Sequence, residues 1–145
     1  MIDNDIRTYL LTQSPITSIV GSDATGSPAR ISPSDRREGI TADSIVYERV
    51  ATDHEHNLTA AQGYSTAIFE FDCISTSKAG AKALGEALRG EMDGFRGTMG
   101  STTVTGVLME DEHDDFDPPA DGSAKGIYHV VQTYSVSYFE SIPTF

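Results

Sequence analysis

Apolar residues recur along the chain with two different periods, and the switches between them divide it into elements. Residues 3 to 13 place Ile6, Tyr9 and Leu10 at three- and four-residue spacing behind Asp3 or Asn4 as cap, which predicts a short amphipathic helix. Ser14-Pro15 restarts helix, with Ile16, Ile19 and Val20 on its buried side and Gly21 as its stop. From Ser44 to His54 the run Ile45-Val46-Tyr47-Glu48-Arg49-Val50 has strand composition. Alternation is clearest from Tyr64 to Ile74, where Ala67, Phe69, Phe71 and Cys73 share one face. The other face carries Tyr64, Thr66, Ile68, Glu70 and Asp72, so it is only half polar and suits a sheet whose second side meets a partner.

The period changes again after Ser75-Thr76-Ser77, which offers caps for a helix over about 77 to 93 with Ala81, Leu84, Leu88 and Met92 at core spacing. Gly80, Gly85 and Gly90 interrupt it at a cost of about 1 kcal/mol each against Ala, which predicts close approach to a sheet in return. Gly94 ends the helix, and Phe95 plugs the turn that runs to Gly100. A third strand is expected from Thr102 to Glu110, with Val104, Gly106 and Leu108 opposing Thr103, Thr105, Val107 and Met109. A fourth runs from Gly126 to Glu140 beyond the turn-rich Pro118-Pro119-Ala120-Asp121-Gly122. The predicted fold class is therefore α+β: a mostly antiparallel four-stranded sheet with helices packed on one face, in the order α-β-β-α-β-β.

Two stretches lie outside this periodicity. Residues 21 to 43 are rich in Gly, Ser, Pro, Asp and Arg with Ile31 and Ile40 as apolar anchors, and read as an extended arm or loop. Its Arg30, Arg36 and Arg37 could reach an acidic neighbouring subunit, although Asp23, Asp35, Glu38 and Asp43 offset them. The run Glu110-Asp111-Glu112-His113-Asp114-Asp115-Phe116-Asp117 is the other.

Composition narrows the function. The 145 residues suffice for one domain with one core. Acidic residues outnumber basic ones 22 to 10, a net of −12, which speaks against a surface that grips phosphates and fits one that DNA slides past. No run of about 18 apolar residues occurs and the N-terminus is acidic, so neither a transmembrane helix nor a secretory signal is expected, and assembly belongs in a cytoplasm. Cys73, the single cysteine, reads as a small buried hydrophobe.

Candidate chemistry is thin. Taking Asp111, His113 and Asp115 as the first calcium-loop positions puts Phe116 where the turn needs Gly and Gly122 where a bidentate Glu belongs. His54-Glu55-His56 supplies two imidazoles without a third ligand in sequence reach, though His113 or Asp111 could complete a zinc site from a distance. The glycines at 94 to 100 follow a helix instead of preceding one and lack the Lys of a phosphate-binding loop. A small metal-binding module for calcium or zinc, or a hydrolytic enzyme built on the 54–56 and 110–117 clusters, stands as the alternative to a structural role.

The wording of the segments adds a resemblance: Leu10-Leu11, Ile19-Val20-Gly21, Tyr47-Glu48-Arg49, Phe69-Glu70-Phe71-Asp72-Cys73, Ala83-Leu84, Ala87-Leu88-Arg89, Met92 to Gly97, Glu110-Asp111-Glu112 and Tyr134-Ser135-Val136. Together, over about residues 4 to 140, they resemble the tail terminator, or tail completion, proteins of long-tailed bacteriophages. The resemblance implies a virion structural protein that forms a ring, commonly a hexamer, on the head-proximal end of the tail tube. Such a ring ends tube polymerisation, meets the tail tube protein on one side and a head-tail connector or stopper protein on the other, and lets DNA pass without specific binding. No enzyme activity, cofactor or metal is implied. On this reading Arg30, Arg36, Arg37 and Ile68 belong to subunit contacts, and Asp111, Glu112, Asp114, Asp115 and Asp117 line or flank the lumen.

Overall fold

The structure is a computed structural model that describes residues 2–23, 28–33, 42–56, 61–118 and 126–140, the side chains at 56, 61 and 62 excepted. Among these residues three helices and six strands form: α1 (Ile2–Leu10), α2 (Ser14–Val20), β1 (Ile31–Pro33), β2 (Ser44–His56), β3 (Ala61–Ser75), α3 (Lys78–Met92), β4 (Gly97–Met99), β5 (Thr102–Asp117) and β6 (Ile127–Phe139). The strands join in one sheet, in the order β1-β2-β3-β6-β5-β4, curled into half a barrel. Every pairing is antiparallel except β1 with β2.

The α+β class and the central hairpin follow the apolar alternation, but the sheet has six strands rather than four. The two additions are three-residue edges that no alternation can reveal. β1 forms inside the polar arm because Ile31 buries completely against the core beside Ile45, and Pro33, which lacks a ladder donor, is tolerated at the margin. β4 forms inside the glycine-rich helix exit, where Gly97 (φ 146°) and Gly100 (φ 56°) let the chain turn back along β5.

One hydrophobic core lies between the helices and one face of the sheet. Ile6 and Leu10 of α1, Ile16 and Val20 of α2, and Leu84, Leu88 and Met92 of α3 meet Tyr47, Phe69, Phe71, Val107, Tyr134 and Val136. The opposite face carries no helix among the described residues.

Two bulges in β5 revise the faces that simple alternation assigns. Pairing slips between Val104 and Gly106, so Val104 and Val107 both reach the core, while Leu108, expected beside Val104, is 60% exposed. A second slip between Met109 and Asp111 restores the register, and the strand then continues through the whole acidic run to Asp117. The third strand was expected to reach Glu110, with the acidic run as its solvated end; the strand in fact runs on to Asp117.

The glycines of α3 divide by position. A Cβ on Gly85 would sit 2.9 Å from Cγ1 of Val130, so the helix can lie this close to β6 only without a side chain there. A Cβ on Gly90 would meet nothing within 4 Å. Gly90→Ala is therefore expected to raise stability by about 0.5–1 kcal/mol through helix propensity, while Gly85→Ala lowers it. Chemical denaturation of both variants checks the opposite signs.

Candidate functional site

The helix-free face of β2, β3, β6 and β5 and the acidic end of β5 carry the polar chemistry of the molecule. Register sorts the acidic run into two sets. Glu112, Asp114 and Phe116 pair with Gln132, Val130 and Tyr128 and lie on the helix side. There Gln132 Nε2 donates to Glu112 Oε2 at 2.7 Å, Lys82 of α3 pairs with Asp114, and Phe116 packs on Tyr128 with ring centroids 4.7 Å apart. Asp111, His113, Asp115 and Asp117 lie on the open side, where Asp111 accepts from His113 Nδ1 at 3.3 Å.

The strongest polar constellation on the open side was not evident from sequence. His129 on β6 stands between two carboxylates: its Nδ1 is 2.8 and 2.9 Å from the Asp72 oxygens on β3, and its Nε2 is 2.9 Å from Asp117 Oδ2 on β5. Burial works against the charged ring, but Asp72 and Asp117 outweigh it and lift the His129 pKa above the ordinary histidine value. Asp72 is also lifted, first by its own burial and further by Asp117 and Asp115, with His129 opposing.

At the other end of the face, Ile68 is half-buried between Ala51 and Ser135. Around it lie a hydroxyl pair, Thr66 with Ser137 at 3.1 Å, and an aromatic pair, Tyr64 with Phe139 at 5.3 Å. Leu108 and Phe139 are more than half exposed. Apolar and hydroxyl groups thus alternate here, as the half-polar pattern of β3 anticipates.

The start of the predicted arm is stitched to the domain. Arg7 forks onto both Asp23 oxygens at 2.9 Å and donates to the Ile31 carbonyl. Arg30 donates to the carbonyls of Asp43 and Ile19, both at 2.7 Å. Arg36 and Arg37 lie outside the described residues.

Two enzymatic or metal-binding arrangements were open from sequence. His54 contacts Ser65 Oγ at 2.8 Å and Glu140 Oε1 at 2.6 Å, but both through the same ring nitrogen, Nδ1. A serine triad needs the nucleophile and the carboxylate on opposite nitrogens, and Ser65 is fully buried. His54 and Asp111 do not converge either. Their strand partners lead to Tyr138 and Thr133, five residues apart on β6, which is roughly 17 Å. Among the described residues no group of three or more His, Cys, Asp or Glu is placed to hold a metal ion. No helix among them is long and apolar enough to cross a membrane. Cys73 is fully buried, and burial pushes its thiol pKa far up, as suits a core residue.

No family profile and no curated protein matches the sequence. The fold is similar to that of a solved chain in the virion of a native gene transfer agent particle, with a TM-score of 0.61 over 95% of this chain and 91% of that one, at 12% identity. This fold is at work in a virion. A second solved chain overlaps 96% of this one at 9% identity with a TM-score of 0.45, too distant to add to the fold assignment.

Proposed function

We propose that this chain is a structural virion protein of the tail-terminator type: copies form a ring, commonly six, that ends the tail tube and joins it to the head connector or stopper. The end-to-end similarity to a chain of a virion particle carries the reading. It is supported by a sheet face that carries no helix among the described residues and by a net charge of −12. A ring closes through heterologous contacts, in which one patch meets a different patch on the next copy. The sheet margins, Ile68 and the arm with Arg30, Arg36 and Arg37 are the proposed contact elements. In this arrangement Asp111, Asp115 and Asp117 on the open side, with Glu112 and Asp114 beside them, line or flank the lumen and repel passing DNA.

Co-assembly tests this directly. Added to a polymerising tail tube protein, the chain is expected to bind one tube end, visible by negative-stain microscopy as a terminal ring, and to stop growth. Unchanged tube lengths together with no co-sedimentation overturn the reading. Replacing Asp111 and Asp115 with Lys is expected to leave ring formation intact and to convert the ring to one that retains DNA, with retention falling steeply as salt rises.

A further inference from the structure

We propose that Asp72, His129 and Asp117 form a proton-operated latch that fixes the acidic end of β5 to the middle of the sheet. The argument starts from donor counting. A neutral imidazole has one N–H and one lone pair, so it can satisfy one carboxylate and must turn its lone pair toward the other. Here both ring nitrogens face carboxylate oxygens within 2.9 Å, and only the imidazolium donates to both. The bridge spans three strands: Asp72 on β3, His129 on β6 and Asp117 on β5. The His129 side chain is 14% exposed and the Asp117 side chain 65%, so the ring is anchored at the sheet and the strand end is what it holds.

The surroundings make the proton decisive. Asp115 is the register partner of His129, and its neighbour His113 on the same face is engaged with Asp111. Glu70 lies two residues before Asp72 on β3, and β2 opposes Asp72 with the uncharged Val46. From α3, Lys78 and Lys82 share a groove of about 310 Å³ with His129, but Lys82 is taken by Asp114. On the open face the ring is therefore set among carboxylates, and loss of its charge leaves Asp72, Asp115 and Asp117 to repel one another.

The sign follows from linkage. The folded-state pKa of His129 is raised above 6.5, so its stabilisation is complete below pH 6.5 and disappears as pH rises through the raised value. Asp72 sets the other limit: its pKa is raised above 3.8, so on acidification it takes up a proton and ceases to be an ionic partner. The latch is closed between these two titrations and opens above the upper one. Opening loosens residues 111–117, left to their ladder with β6 and their helix-side contacts, and leaves the β2–β3 pairing in place.

Two measurements on the whole protein test this. Ring nitrogen and carbon shifts in NMR should show His129 doubly protonated at pH 6, with a midpoint above 6.5 that falls in Asp117→Asn, a change at an exposed position that spares the fold. Amide exchange, expressed as protection factors, should show residues 111–117 losing tenfold or more between pH 6 and 9 while β2 and β3 hold. In His129→Gln the same segment should be poorly protected and independent of pH. A neutral His129 ring at pH 6, a midpoint unmoved by Asp117→Asn, or wild-type protection in His129→Gln overturns the latch.

Discussion

Phe71→Ala is expected to cost about 3–5 kcal/mol, the range for removing a fully buried aromatic ring from a close-packed core. Phe71 sits on β3, the third strand of six, with no exposed surface. Its ring stacks on Tyr47 at 5.7 Å with 23° between planes and meets Tyr134 edge-on at 5.7 Å, with Phe69 at 6.3 Å. The cavity would therefore open where β2, β3 and β6 share one aromatic cluster. A loss of this size takes a large share of the roughly 5–15 kcal/mol that holds a domain folded. Phe139→Ala is the control, because that ring is 52% exposed on the open face and its loss should stay within about 0.5–1 kcal/mol. Urea titration reads both: the midpoint of Phe71→Ala should drop sharply with the slope unchanged. Equal losses for the two variants would place the centre of the core elsewhere.

The same residue shows why some of the fold is legible in sequence. Ala67, Phe69, Phe71 and Cys73 alternate without a break because β3 runs through the middle of the sheet without a bulge against β6, so period two and burial coincide. α3 is equally plain, since Leu84, Leu88 and Met92 keep helical spacing and Ser77 caps it by accepting from the Gly80 N–H at 3.0 Å. β5 misleads for the converse reason. Each bulge adds one residue, and an alternation read across Thr105 turns Val107 outward and Leu108 inward, the reverse of what occurs. The short β1 and β4 are held by long-range pairing, to which three residues contribute no periodic signal. His129 carries no sequence signal because its role depends on Asp72 and Asp117, 57 and 12 residues away, brought beside it only by register. The acidic run was conspicuous in composition, but its division between two faces needed the second bulge. The idea of a virion role came from the wording of the segments, and no single residue chemistry carries it.

Gln132→Leu is expected to lower stability by about 1–3 kcal/mol although it adds an apolar side chain to an apolar face of β6. Gln132 is fully buried and spends its amide three ways: Nε2 donates to the Gly85 carbonyl at 2.9 Å and to Glu112 at 2.7 Å, and Oε1 accepts from the Tyr134 hydroxyl at 2.7 Å. One side chain thus ties α3, β5 and β6 at the place where Gly85 lets the helix approach. Leucine would strand the Tyr134 hydroxyl, which is buried and whose pKa burial already pushes far up, and would leave Glu112 without its donor. Tyr134→Phe makes the complementary fault, baring Gln132 Oε1 in the same apolar space. The two losses should not add. In the double variant neither polar partner remains to be stranded between positions 132 and 134, so the combined cost should fall short of the sum by about 0.5–3 kcal/mol. A double-mutant cycle in urea measures that shortfall. Additive costs would mean that water reaches these groups and that the amide is filler rather than the tie between helix and sheet; a shortfall would place the helix-to-sheet contact on one glycine and one glutamine.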